Sequence, residues 1–245
     1  MTTQTLVDQD TPPAELVGLV LEQAGIDMVF GIAGGHAGLI WSGLSLRQDR
    51  IRTVLVRHES LAGVMAEVYG RLTGKPGVML GQGPWVMGNG MIGTLEAHLS
   101  SSPMLVLADL SDTPEFSLHA PYQSATGDYG SWDARSAFRG ITKQVMQAST
   151  PGAAVHATQL AIKHSLAGQP GPVAVLYSLT ALQGVVRADA QPRLYPTDRY
   201  LARAKHGVGA ADLDAALAVC RKARQPVIIA GNGVRIGQAF DALQR

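Results

Sequence analysis

Short apolar segments alternate with segments of helical apolar spacing, and this alternation constrains the fold more than any other feature. The segments that read as buried strands are residues 28–30, 51–56, 77–80, 104–108 and 172–177. The intervening segments, which include residues 39–47, 88–100 and 151–167, read as helices, whereas residues 81–85 read as a tight loop and residues 111–140 as a long loop. Strands that alternate with helices favour a mostly parallel sheet with helices on both faces. The sequence therefore predicts a doubly wound α/β domain over residues 1–182.

The rest of the chain is too short for a second core. Residues 183–205 are rich in Pro, Arg, Asp and Gln and read as a linker. In residues 206–245 we predict a helix at 211–223, a strand at 226–230 and a last helix. One strand and two helices bury too little surface to fold alone. We therefore interpret 206–245 as the first segment of an incomplete second α/β domain.

Composition narrows the class of protein. Charged residues make up 16% and hydrophobic residues 46% of the chain, which suits extensive buried surface, including surface buried against a partner. A net charge of +1 gives no reason to expect nucleic acid or a membrane as partner. The single cysteine, Cys220, fits a reducing compartment, and the polar N-terminus is not a signal peptide. We expect a cytoplasmic location.

Glu59 is the first candidate for chemistry. It follows the predicted strand at 51–56 and opens a helix, which is where open α/β sheets place ligand-binding groups. Two other interpretations stay open. Glu59 could merely open the helix, stabilised by its N-terminal dipole. Alternatively, Gly31, Gly34 and Gly35 could form a degenerate dinucleotide-binding loop with Glu59 on the ribose, although the G-x-G-x-x-G pattern is not met.

A set of motifs in fixed order adds a family resemblance. They are Val29-Phe30-Gly31, Arg57-His58-Glu59, the run 66–78, Gly83-Pro84, Ser102-Pro103 and the run 170–173. This order resembles the N-terminal pyrimidine-binding domain of the thiamine-diphosphate enzymes related to acetolactate synthase, pyruvate oxidase and benzaldehyde lyase. Residues 213–234 resemble the opening of the central domain of the same family.

The resemblance implies roles for particular residues. Glu59 would hydrogen-bond the aminopyrimidine ring of thiamine diphosphate and activate it. The other implied cofactor-binding residues are Gly34, Gly83, Pro84 and Asn89, and the implied substrate-facing residues are His36, Trp85 and Gln123. Two places depart from the family pattern, because Trp85 replaces the usual glycine and Gly88 the usual asparagine, with Asn89 one residue late.

The chain has only part of the family's cofactor-binding motifs. No Gly-Asp-Gly motif, which in the family helps to hold Mg²⁺ and the diphosphate, occurs in it, and no metal-ligating residue is assigned. The resemblance therefore implies a split decarboxylase or carboligase for pyruvate or another 2-oxo acid, with a partner chain carrying the diphosphate-binding domain, as a heterotetramer of two copies each. A fragment of a longer chain and a non-catalytic structural or regulatory subunit stay open. FAD is possible but not supported.

Overall fold

The computed structural model describes residues 4–110, 124–127, 130–201 and 207–245. Contacts divide the chain into a first unit that ends at Leu201 and a second unit that begins at Ala202.

Six parallel strands form one sheet in the first unit. They are β1 Met28–Gly31, β2 Arg52–Leu55, β3 Gly77–Gln82, β4 Met104–Asp109, β5 Gln144–Ala148 and β6 Pro172–Tyr177. The order across the sheet is β2-β1-β3-β4-β6-β5, and every neighbouring pair is parallel. The predicted doubly wound α/β fold is confirmed.

Helices cover both faces of the sheet. In the first unit they are α1 Pro13–Gln23, α2 Gly38–Ser45, α3 Glu59–Thr73, α4 Gly83–Gly88, α5 Met91–Leu99, α6 Ala134–Arg139, α7 Pro151–Leu166 and α8 Leu179–Leu182, with short 3-10 helices at Gly35–Ala37 and Thr197–Arg199. One core cluster joins α1, α2 and α7 to the sheet, and the other joins α3, α5 and α6 to its opposite face. The side chains of a strand alternate between the two clusters, as Val78 and Leu80 on one face and Met79 on the other illustrate.

Strand burial explains only part of what the sequence predicted, since β2 was predicted as a buried strand although it lies at the edge of the sheet and none of its residues is buried. Every residue of β4 and β6 is buried, so each strand reads as a continuous apolar run. By contrast, β5 lies at the edge of the sheet, and only its last residue, Ala148, is buried. The apolar pattern of the sequence therefore did not predict β5.

Two predicted loops are partly helical. Residues 81–85 were predicted as a tight loop, but β3 extends to Gln82 and α4 begins at Gly83. Pro84 suits the second position of a helix because that position needs no backbone N–H donor. The helix predicted at 88–100 begins only at Met91. Within the predicted loop 111–140, Asp133 caps a helix over 134–139, whereas 111–123 and 128–129 lie outside the described residues.

Much of the predicted linker packs onto the first unit. Val186 and Leu194 are buried with Val7 and Leu16 in a third apolar cluster. Thr11 also pairs with Val186 as an isolated antiparallel bridge. Packing thus divides the chain at Leu201, while the functional division at residues 182 and 205 stays a prediction.

In the second unit, the described residues 207–245 form three helices and no strand. They are α9 Ala210–Lys222, α10 Gly233–Ile236 and α11 Phe240–Gln244, and none has a buried residue. The strand predicted at 226–230 is wrong for this structure. A strand needs a hydrogen-bonded neighbour, and this described segment offers none, so Val227, Ile228 and Ile229 are exposed.

Candidate active site

The strand order places a crevice at one edge of the sheet. The chain passes from β1 to β2 on one side and then to β3 on the other, so the order reverses between β1 and β3. Ligands of open α/β sheets bind outside the carboxyl ends of the strands at such a reversal. The ends of β2, β1, β3 and β4 lead to Glu59, residues 34–37, residues 83–85 and Asp109 respectively.

Glu59 is the first residue of α3 and is half-buried. The preceding His58 caps the helix, because its Nδ1 accepts a hydrogen bond from the Ser60 N–H at 3.4 Å. Asn89 Nδ2 donates to Glu59 Oε2 at 2.9 Å, which joins the start of α3 to the residue that follows α4. The other oxygen, Oε1, has no hydrogen-bond partner among the described residues. The structure therefore brings together two predicted site residues and leaves one carboxylate oxygen available.

A contact between glycines fixes α3 relative to α5, which begins two residues after Asn89. A Cβ added to Gly93 in α5 would lie 2.0 Å from the backbone carbon of Gly63 in α3. A Cβ on Gly63 would lie 2.7 Å from the carbonyl oxygen of Gly90, the residue after Asn89. The two helices thus meet at backbone distance, which sets the position of Asn89 relative to Glu59.

Asp109, which was not among the predicted site residues, joins two of the predicted loops. It is fully buried at the end of β4. Its Oδ2 accepts the N–H groups of His36 at 2.5 Å and Ala37 at 3.1 Å, and its Oδ1 accepts the N–H of Gly83 at 3.1 Å. Burial raises the pKa of this carboxyl above its ordinary value, and the three N–H groups oppose that rise by favouring the ionised form. The strand-end rule that singled out Glu59 would also have found Asp109.

Gly83 and Gly34, two of the predicted cofactor-binding residues, are glycine for different reasons. At Gly83 a Cβ would lie 2.3 Å from the Asp109 carbonyl oxygen, so packing alone requires glycine there. At Gly34 the backbone is extended and a Cβ would meet nothing closer than Gln82 Oε1 at 3.9 Å. The fold therefore accepts a side chain at Gly34, and the lack of one leaves the backbone open to close approach.

Two further predicted residues line this edge of the sheet. Trp85 is 42% exposed and its Nε1 donates to Gln82 Oε1 at 3.1 Å. His36 is half-buried, and its Nδ1 is buried with no hydrogen-bond partner among the described residues. Pro84 is the second residue of α4, and Gln123 lies outside the described residues.

The described residues contain no group of three or more His, Cys, Asp or Glu that could hold a metal ion. In the same part of the chain, no helix is both long enough and apolar enough to cross a membrane.

Comparison with known proteins gives a family match over this region. Residues 13–130 match the family described as "Thiamine pyrophosphate enzyme, N-terminal TPP binding domain". The matched segment includes Glu59, Asn89 and Asp109.

Curated relatives cover more of the chain. It is 31% identical to an acetolactate synthase of Bacillus subtilis (strain 168) over 225 residues, which is 89% of this chain and 35% of the relative. It is 26% identical to an oxalyl-CoA decarboxylase of Escherichia coli (strain K12) over 96% of this chain and 40% of the relative. A glyoxylate carboligase of Escherichia coli O157:H7 is 30% identical over 92% of this chain and 36% of the relative. The chain thus spans less than half the length of these relatives.

Proposed function

Since residues 13–130 belong to the thiamine pyrophosphate enzyme family, as its N-terminal TPP-binding domain, we propose that this chain supplies the aminopyrimidine-binding half of an acetolactate synthase-like active site. The complete enzyme would be a decarboxylase or carboligase that acts on pyruvate or another 2-oxo acid. A cytoplasmic location, predicted from the sequence, is part of this proposal.

The observation that carries the proposal is the arrangement around Glu59. Its Oε2 accepts the bond from Asn89, while Oε1 has no partner in the part of the chain that the structure describes. A carboxylate held in this way can share a proton with a ring nitrogen at Oε1. Asn89 would keep the carboxylate oriented during that exchange.

The neighbouring loops fit the edge of a flat heterocycle. Gly34 offers backbone without a side chain, and the buried Nδ1 of His36 lacks a partner among the described atoms. When bound, thiamine diphosphate supplies an electron sink for the carbanion that forms when a 2-oxo acid loses CO₂. The role of this chain would be to hold the pyrimidine end and to hold or move a proton at Glu59.

A partner would cover the site. The outward sides of α3 and α5 expose large apolar side chains at helical spacing, and we call this surface the apolar face. It comprises Leu61, Val64, Met65, Leu72, Met91, Ile92, Leu95 and Leu99. An exposed apolar surface of this kind is typical of a protein interface. We propose that a second chain with the diphosphate-binding domain and Mg²⁺ docks here, in a heterotetramer of two copies each, and excludes water from Glu59.

The alternative is a non-catalytic structural or regulatory subunit. Trp85 favours it, because this half-exposed indole stands where the family usually has glycine, beside the loop that starts α4. The position of Glu59 favours the catalytic role, because helix capping alone does not explain its bond with Asn89.

The test compares variants in the assembled complex. Tagged chain is captured from its source cells with its copurifying chains, and CO₂ release from pyruvate and other 2-oxo acids is measured with saturating thiamine diphosphate and Mg²⁺. Glu59→Gln should lower kcat by about 100-fold or more, the usual effect of losing a general acid–base group. Glu15→Gln is the matched control, because Glu15 lies in the first turn of α1, on the opposite face of the sheet from Glu59.

Each outcome separates the candidates. Unchanged turnover in Glu59→Gln would overturn the role of Glu59. A wild-type complex without any turnover that depends on thiamine diphosphate would favour the non-catalytic subunit. Binding of NADH by the isolated chain would favour the dinucleotide interpretation of Gly31, Gly34 and Gly35.

A further inference from the structure

Asp109 lies where two candidate cofactor-binding loops meet. Residues 34–37 follow β1 and residues 83–85 follow β3, and the side chain of Asp109 bonds to backbone N–H groups of both. These loops are 46 or more residues apart in the sequence, so no local turn fixes one relative to the other. The buried carboxylate is the group that they share.

Both loops also approach Asp109 at distances that only glycine permits. Gly35 has φ +54, and a Cβ there would lie 2.5 Å from Asp109 Oδ2. On the other loop, a Cβ on Gly83 would lie 2.3 Å from the Asp109 carbonyl oxygen. The two loops therefore close around this residue from two directions.

We propose that Asp109 is a positioning residue, which sets the two loops relative to each other so that they bind the pyrimidine end of the cofactor. This rests on the proposed function for its cofactor, but the setting of the loops does not. A carboxylate suits the task because its two oxygens accept three N–H groups. An asparagine of the same shape has one oxygen, and its NH₂ group would face an N–H donor.

That difference gives a sharp expectation for Asp109→Asn. The amide oxygen should stay with the two donors, His36 and Ala37, and the NH₂ group should turn toward Gly83. Hydrogen exchange of assigned backbone amides in the 245-residue chain measures this directly. The Gly83 amide should exchange about tenfold faster or more, since its hydrogen bond is lost. In Asp49→Asn, an exposed surface control, all three amides should keep their wild-type rates.

The exchange rates of the wild-type chain test the proposal even if Asp109→Asn does not fold. The amides of His36, Ala37 and Gly83 should already exchange at least about tenfold more slowly than unstructured peptides. Unprotected amides in the wild type, or wild-type rates at all three in a folded Asp109→Asn, would overturn the proposal.

A second readout separates positioning from a purely structural role. In the captured complex, Asp109→Asn should raise the thiamine diphosphate concentration for half-maximal rate about tenfold, with a smaller change in kcat. Glu59→Gln should do the reverse, so the two proposals fail in different ways. Faster Gly83 exchange with an unchanged half-saturating concentration would leave Asp109 a structural residue and refute its positioning role.

Discussion

Replacing Gly35 with alanine tests the packing around Asp109 through stability alone. Gly35 has a left-handed backbone, which costs a residue with a side chain about 1–2 kcal/mol. The new Cβ would also lie 2.5 Å from Asp109 Oδ2, an atom held in place by the His36 and Ala37 N–H groups. Overpacking of a rigid site costs about 1–3 kcal/mol more. We expect Gly35→Ala to lower the free energy of unfolding by about 2–5 kcal/mol.

Two other glycines separate the contributions. Gly25 has φ +74 and no atom within 4 Å of an added Cβ, so Gly25→Ala should cost about 1 kcal/mol through its backbone alone. Gly152, in the first turn of α7, has neither a left-handed backbone nor a near neighbour. Gly152→Ala should stabilise the chain by about 0.5 kcal/mol, because alanine restricts the unfolded state.

Urea unfolding of the three purified variants, followed by circular dichroism, gives these differences. The expected order of stability is Gly152→Ala, wild type, Gly25→Ala and Gly35→Ala. If Gly35→Ala loses no more free energy than Gly25→Ala, the carboxylate of Asp109 does not confine Gly35 and our reasoning about this contact fails.

Two lysines give further predictions by the same assay. Lys143→Met should lower the free energy of unfolding by about 1 kcal/mol, because Lys143 Nζ donates to the carbonyls of His164, Ala167 and Gln169, at and just beyond the end of α7. An unchanged free energy of unfolding would contradict this role. The hydrogen bond from Lys75 lowers the pKa of Asp27 below its ordinary 3.8, so Asp27 contributes stability above pH 3.8 that is lost as pH falls through its folded-state pKa. The free energy of unfolding of the wild type should exceed that of Lys75→Met by less at pH 3 than at pH 7. A difference that does not change with pH would refute this.

The sheet was predictable because its central strands are buried on both faces. Continuous apolar runs such as those of β4 and β6 identify a strand without knowledge of its neighbours. The half-exposed β5 offers no such run, since only pairing with β6 makes it a strand. For the same reason, an apolar segment at 226–230 was mistaken for a strand although the described part of its unit offers no partner.

Short motifs named candidate site residues such as Glu59, Gly34 and Asn89, and their roles stay predictions. The contacts between site residues were not predictable, because the partners are distant in the sequence. Asn89 is 30 residues from Glu59, and Asp109 is 73 residues from His36. These bonds depend on how strands order across the sheet, which spacing along the chain does not encode. The Gly-Pro signal likewise predicted a turn, whereas Asp109 draws the Gly83 N–H into a helix start.

The backbone contact between α3 and α5 has an evolutionary consequence. Neither Gly63 nor Gly93 can acquire a side chain unless the opposite helix moves, and such a move would carry Glu59 or Asn89 away from the other. At Gly34 and Trp85, by contrast, side chains meet open space or solvent. Descendants of this chain should therefore diversify in ligand preference through the loops, while the crossing of the two helices is inherited almost unchanged.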